Sequence, residues 1–523
     1  MPDAAQRATQ HDLLEEPAFR VRFGDGRRAE LTLPGLLAAM GASEGPDLES
    51  FTGLQAHQQH AWHAFLVQLA AITLHRADTT SATLSEDAWR QRLLALTAGA
   101  HEPWCLVVGD LAKPAFMQPP VPEGTVGGFS QDRPGVANND VLATAKNHDV
   151  KASRIARPRT EHWVFALVTL QTMEGYTGAK NYGIARMNKG SSSRPCVAYS
   201  PVADGAARFR EDLRRLLAGR DSVAEDFGLK ESGGLALLWL EAWDGERKLR
   251  FRDCDPCFIE ICRRVRLVID AGSVCARYRS TSCQRLDAED LLGRTGDPWT
   301  PLSTKEAKSL TITEAGFGYR LVVDLVLSGA YRGGLALEPL GGKESAWLIC
   351  RAMARGNCVT NGLHERVILL PGKVRNALSR ADLRTALAEQ AKARVERASS
   401  VQNEVLRPAL KVLLQGAPDK LKFEDHRPRR WTQAFNRAVD DVFIPALFAD
   451  VGKPSDEANR AFDQRLFDLA RVQLEAAIAG APVPIARRPR AIAAAEREFR
   501  GRARRTLPNL FPSEPETGSP TEA

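Results

Sequence analysis

Residues 363–390 read LHERVILLPGKVRNALSRADLRTALAEQ, and the chain changes character within them, at Pro371-Gly372-Lys373. Past this point strand-like runs vanish. Apolar residues recur instead at helical spacing over 378–415, 429–448, 456–479 and 490–505. Pro or Gly marks each connection, as Gly416-Ala417-Pro418, Lys453-Pro454 and Gly480-Ala481-Pro482. Four antiparallel helices with short connections predict a four-helix bundle over 374–508. The closing PSEPETGSPTEA is too polar to build a core, which predicts a disordered tail over 509–523.

Before the switch the signals are mixed. Phe19, Val21 and Phe23 alternate with Arg20 and Arg22, the period of a half-buried strand. Gly24-Asp25-Gly26 supplies a permissive turn, and residues 29–33 return as a second strand, so a hairpin opens the fold. Over 57–75 the period becomes helical, with Trp62, Phe65, Leu66, Leu69 and Ile72 on one buried face. A further helix is predicted over 162–172. Between 251 and 370, CFIEICRRVRLVID (257–270) and YRLVVDLVLSG (319–329) carry β-branched runs and are predicted as strands. The fold class is therefore α+β: a large mixed N-terminal domain, 1–370, followed by the helical bundle. No internal repeat of the solenoid kind is present.

Composition narrows the function classes. The 523 residues are 44% hydrophobic and 26% charged, ordinary globular values for two or three domains. The net charge of +7, from 71 Lys and Arg against 64 Asp and Glu, is modest, so its placement matters more than its sum. The opening MPDAAQRATQHDLLEEP lacks the apolar core of a signal peptide, and no run is long enough to span a bilayer; the expectation is a cytoplasmic protein without a membrane partner. Nine scattered cysteines predict buried thiols rather than a disulfide framework.

Catalytic and metal motifs are weak. Cys254 and Cys257 form a C-x2-C pair, but no second pair is equally tight, so no metal site is expected. His57, His60 and His63 step by three along a helix, about 300° per step, and drift around it as a satisfied or solvated face. The chain has no H-E-x-x-H, G-x-S-x-G or G-x-x-x-x-G-K-[ST] motif and no close acidic cluster for a two-metal nuclease. No catalytic residue, enzyme activity or cofactor is predicted.

The positive signal is for nucleic acid. A Pro- and Gly-rich segment, 114–140, leads into the basic run AKNHDVKASRIARPR (145–159), and after the 162–172 helix comes GYTGAKNYGIARMNKGSSSRP (175–195). Between 146 and 194 there are nine Lys or Arg (146, 151, 154, 157, 159, 180, 186, 189, 194) against three acids (149, 161, 174). Gly175, Gly178 and Gly183 lie beside Tyr176, Lys180, Tyr182 and Arg186. Glycine permits close backbone approach, Lys and Arg neutralise phosphates, and Tyr offers a stacking plane. Near the C-terminus, arginines 487, 488, 490, 497, 500, 502, 504 and 505 fit either nucleic acid or an acidic partner subunit.

The order of these landmarks resembles the CasA family, the large subunit of the type I-E CRISPR surveillance complex Cascade. The opening HDLLEEPAFRVRFGDGRRAELTLPGLLAAM (11–40), the PAFMQ of 114–118, the GDPWTPL of 296–302 with Lys305 and Lys308 after it, and ARGNCVTNGLHER (354–366) each resemble a family landmark. The resemblance spans nearly the whole chain. It implies a non-catalytic subunit that reads a protospacer-adjacent motif in duplex DNA, mainly from the minor groove, then starts strand separation and R-loop formation and helps recruit the helicase-nuclease. Implied partners are target double-stranded DNA, crRNA, and the backbone, 5′-handle-binding and small subunits. The family's glycine loop falls on 175–183, with Gly175, Gly178 and Lys180. Its lysine falls on Lys305 or Lys308, and its glutamine wedge on Asn357. Its flexible contact loop falls within 140–157, with Lys146, Asn147, His148 and Lys151. Departures are visible: TGAKNYG replaces a run of three glycines, Asn357 stands where a glutamine is expected, and the family's second C-x2-C pair is missing, so no zinc is carried over. Two other readings stay open: a scaffold subunit that does not read DNA, and a metal-dependent DNA-processing enzyme.

Overall fold

The computed structural model describes residues 10–130, 135–140, 155, 157–178, 180–189, 192–342, 344–355, 360–415, 422 and 424–511. Asn357, the contact-loop residues Lys146, Asn147, His148 and Lys151, and the tail from 512 lie outside the described residues. The chain forms two compact units. The first takes its described residues from Met1–Phe317, Gly329–Leu340 and Glu344–Leu370; the second from Gly318–Ser328, Gly341–Lys343 and Pro371–Ala523.

In the first unit the N-terminal hairpin forms as the alternation predicts. Strand Phe19–Phe23 pairs antiparallel with Arg28–Leu31, and Leu48–Phe51 joins its other edge. The second strand stops before residue 33 because Thr32 caps a helix, Leu33–Gly41, its hydroxyl accepting the Gly35 N–H at 3.0 Å. Phe19, Val21 and Phe23 point into the core.

Helix Gln59–Arg76 departs from the one-face expectation. Every residue from His60 to Leu74 except His63 is buried. Helices Thr160–Met173 and Ala206–Ala218 and strand Cys254–Ile259 close on it from several sides, so polar positions such as Gln68 are buried too. Gln68 compensates by donating to the carbonyls of Cys257 and Phe258, at 3.2 and 2.8 Å. Around Trp62, Phe19 and Phe65 stack at 5.3 and 5.4 Å and Phe165 meets its edge at 4.9 Å. Such a cluster contributes specific ring geometry as well as burial.

A three-stranded antiparallel sheet carries the far end of this unit. Ala346–Arg355 lies between Cys196–Ser200 and Thr360–Leu370, and the long hairpin closes with Arg355 opposite Thr360. The 257–270 run folds as predicted, ending strand Cys254–Ile259 and forming Arg264–Asp270. Residues 319–329 do not form the predicted strand. Tyr319–Val326 is a helix, because Tyr319, Val322, Val323 and Val326 recur at i, i+3, i+4 and i+7 and bury one side. Helical period outweighs the β-branched composition here.

The second unit is helical. Ala381–Ser400 continues through a π-helical turn, Val401–Leu406, into Arg407–Gln415; Arg429–Ala449, Ser455–Gly480 and Arg488–Thr506 complete the four long helices of the predicted bundle. Its core includes Leu387, Val405, Phe435, Phe443, Phe462, Leu466 and Phe499. Among the described residues no helix is long and apolar enough to cross a membrane.

Candidate nucleic-acid interface

The glycine loop starts where helix Thr160–Met173 stops. Glu174, buried, accepts the Gly175 N–H on Oε1 at 3.1 Å and pairs with the buried guanidinium of Arg355. Across the loop's neck, Arg263 donates to the carbonyl of Gly175 at 2.7 Å, to the carbonyl of Tyr182, and to Thr177 Oγ1 at 3.4 Å. The two sides approach so closely that a Cβ on Gly183 would lie 2.7 Å from Gly175 Cα. Glycine is required there by contact; at Gly178 it is favoured by a φ of 127°.

Above the neck the chain turns tightly. Thr177 N–H donates to the Asn181 carbonyl and Asn181 N–H to the Gly178 carbonyl, both at 3.1 Å. Lys180 takes a left-handed φ of 67°, its carbonyl held by the Thr281 N–H at 2.9 Å, and is exposed. Below the neck, Glu260 Oε1 accepts the Ala185 N–H at 2.6 Å. Burial raises this carboxyl to about 7, against the pull of Ala185 N–H and the guanidinium groups of Arg186 and Arg194.

The lysine turn stands beside the descending arm of this loop. Ser192 Oγ meets Thr311 Oγ1 at 2.8 Å, and Ser193 Oγ accepts the Ile312 N–H at 2.9 Å. The turn closes through Ser303 N–H to the Lys308 carbonyl at 2.9 Å. Lys308 Nζ is paired with Glu306 at 2.6 Å, whereas Lys305 is exposed and forms no ion pair within contact distance among the described residues.

Arg355 ties a third element to the first. It ends the strand that enters residues 356–359, and its Nη1 donates to Thr360 Oγ1 on the strand that leaves them, at 3.2 Å. The Glu174–Arg355 pair therefore joins the foot of the glycine loop to the two strand ends, Arg355 and Thr360, that flank residues 356–359. Gly175, Gly178 and Lys180 share one loop, with Lys305 and Lys308 on an adjoining turn.

Two of the nine basic residues counted in the sequence are structural. Arg194 Nε pairs with buried Asp297 at 2.6 Å; Arg186 lies 3.6 Å from the same carboxylate, with its guanidinium over the Phe258 ring at 4.0 Å. Charge counting along 146–194 cannot see a carboxylate at 297. Among the described residues of that stretch Arg157, Arg159, Lys180 and Lys189 are exposed. Conversely, Glu174, Glu260, Arg263 and Arg355 were not singled out from sequence. The one available signal was charge inside apolar β runs, as in CFIEICRRVRLVID.

Of the two alternatives for the histidines, a satisfied or a solvated face, His57 and His63 take the first. His57 Nε2 meets Asp140 Oδ2 at 2.8 Å, and His63 Nε2 meets Asp212 Oδ2 at 2.8 Å, where Trp299 Nε1–H also donates at 2.9 Å. His60 is enclosed, and burial, reinforced by Arg351, Arg194 and Arg208, lowers it to about 3. Cys254 and Cys257 are buried along one strand; burial pushes both thiols up, Cys257 to about 12, disfavouring the thiolates a metal would need. No group of three His, Cys, Asp or Glu is arranged for a metal among the described residues.

A mixed unit bearing glycine and lysine loops and a three-stranded sheet, with a second, helical unit, defines a two-unit α+β protein. This is the fold of the CRISPR-associated Cse1, or CasA, proteins. Cse1 from Acidimicrobium ferrooxidans superposes with a TM-score of 0.61 at 15% identity, over 97% of this chain and 100% of that one. Thermobifida fusca Cse1 gives 0.64 at 15% identity, over 97% and 99%, and Thermus thermophilus CasA (Cse1) gives 0.59 at 15% identity, over 96% and 100%. No family model and no curated protein matches the sequence.

Proposed function

We propose that this chain is the large subunit of a type I-E CRISPR Cascade complex that reads a short flanking motif in duplex DNA and starts strand separation. The observation that carries the reading is the buried Glu174–Arg355 pair, which couples the glycine loop to the strand that leads into residues 356–359. In this reading Gly175, Gly178 and Lys180 approach the minor groove, where the hydrogen-bond code is degenerate and backbone shape does much of the selection. Lys305, with Lys308, holds the adjacent backbone. Asn357 pushes into the first base pair, an unstacking that costs a few kcal/mol and is offset by the grip on the flanking duplex. Initiation is where such help counts, because the RNA–DNA hybrid is about as stable as the duplex it replaces.

The first unit then recognises the flanking duplex. Lys146, Asn147, His148 and Lys151 contact the base of the complex near the crRNA, and the bundle over 374–508 helps dock the helicase-nuclease. The subunit works in the cytoplasm with the backbone, 5′-handle-binding and small subunits and needs neither metal nor cofactor.

The test is duplex binding by the reconstituted complex over a randomised flank. Asn357→Ala and Lys305→Ala are expected to lose motif-dependent binding while crRNA assembly survives. Lys308→Ala should lose less, since Glu306 already neutralises that lysine. A wild-type complex with no flank preference would leave a scaffold subunit, and metal-dependent cleavage by the isolated chain would favour the enzyme reading.

A further inference from the structure

Tyr176 and Tyr182 face each other across the glycine loop, ring centroids 6.2 Å apart and planes inclined by 58°. Both rings are half-buried, and neither hydroxyl has a hydrogen-bond partner among the described residues. Trp62 and its ring neighbours are spent on the core of this unit. Tyr176 and Tyr182 are half-buried and held by a hydrogen-bonded frame. Arg263 bridges the carbonyls of Gly175 and Tyr182, the backbone neighbours of the two rings. The Gly175–Gly183 contact closes the neck, and Thr281 fixes the Lys180 carbonyl. Two half-buried rings on one hydrogen-bonded loop, with an exposed lysine four residues from one and two from the other, are the parts of a stacking platform: rings for a base, a cation for its phosphate.

Resting on the function proposed above, we infer that Tyr176 and Tyr182 form a stacking site for one unpaired nucleobase from the opened duplex beside the flanking motif. The base lies on the outer face of one ring while the other braces that ring at a tilt, and Lys180 meets the neighbouring phosphate. The site gives the freed base a partner, so the opened pair does not simply reclose. It acts by stacking rather than hydrogen bonding, so it tolerates any base at that position.

The experiment uses the reconstituted complex and duplexes carrying 5-iodouracil, one position at a time, through the flank and the first protospacer pairs. Photo-crosslinking to the wild-type complex is expected to join one position to Tyr176 or Tyr182. The Tyr176→Leu/Tyr182→Leu double variant should bind a matched target about tenfold to a hundredfold more weakly, a range set by stacking one base. Tyr176→Phe/Tyr182→Phe should stay within about twofold, because the ring faces remain. Adducts only elsewhere, or Leu variants that bind like wild type while wild type still discriminates flanks, would overturn the stacking site and leave the proposed function standing. Absence of flank discrimination in wild type would remove both. The wild-type crosslink decides the matter even if the Leu variant assembles poorly.

Discussion

His60 and Glu260 are both enclosed in the first unit, and their displaced protonation equilibria act on stability in opposite senses. His60 falls from an ordinary 6.5 to about 3. Between those values the unfolded chain holds a proton that the folded chain does not, so stability is lost as pH falls from 6.5. Glu260 rises from 4.5 to about 7, so the folded chain holds the extra proton and stability is lost as pH rises from 4.5 to 7. Each slope approaches about 1.4 kcal/mol per pH unit, and over pH 4.5–6.5 the two offset one another. Denaturant melts across pH 4.5–8 should therefore show Glu260→Gln steepening the loss of stability towards acid. His60→Leu should do the reverse and make the protein more stable as pH falls from 7 to 4.5. Parallel curves for both variants and wild type would contradict the assignment. Arg263 is a second single-residue lever. Arg263→Ala strands the carbonyls of Gly175 and Tyr182, at about 1–3 kcal/mol for each buried group left unpaired. Its melting temperature should fall together with flank-dependent binding.

At the scale of elements, the glycine loop and the strand ending at Arg355 are joined by one buried ion pair, which allows stability and positioning to be separated. Arg355→Ala should cost about 3–5 kcal/mol, because Glu174 would remain as an uncompensated buried charge. A Glu174→Leu/Arg355→Met double variant removes both charges and should recover much of that stability by thermal melting. It should nonetheless keep the loss of flank-dependent binding, since an apolar contact fixes neither Gly175 N–H nor Thr360 Oγ1. Recovery of both properties would make the pair merely structural. Several elements were legible in the sequence because their signals are local: the Phe19–Phe23 alternation, the helical period over 57–75 and 162–172, and the four long helices. The strand predicted at 319–329 failed because Val residues suit a strand by composition while their spacing suits a helix. Glycine, lysine and tyrosine of the loop were visible as residue types. What holds them was not, since Glu260 and Arg263 reach the loop from the link between two strands, 75 to 88 residues away, and Arg355 from the end of a later strand.

At the scale of the whole molecule, the chain enters the helical unit before it finishes the sheet-bearing one. Helix Tyr319–Val326 belongs to the helical unit, although the strands Ala346–Arg355 and Thr360–Leu370 that follow belong to the first. Tyr319 stacks on Phe443 at 4.5 Å, Phe443 meets the edge of Phe462 at 5.7 Å, and the Tyr319 N–H is held by Asp440 Oδ1. A cut at Pro371, where the sequence changes character, therefore does not release a complete helical unit. The fragment 371–523 leaves the Phe443 face uncovered and Asp440 without that donor. It should bind a hydrophobic dye and melt well below the helical unit of the intact chain. A peptide spanning 317–329, added in trans, should raise its melting temperature, and the same peptide with Tyr319→Ala should not. In the full chain, Tyr319→Ala should cost the helical unit about 3–4 kcal/mol, as for other large buried aromatic residues truncated to alanine. A fragment 371–523 that melts cooperatively at the intact unit's temperature, indifferent to the peptide, would mean that the borrowed helix adds nothing to this bundle.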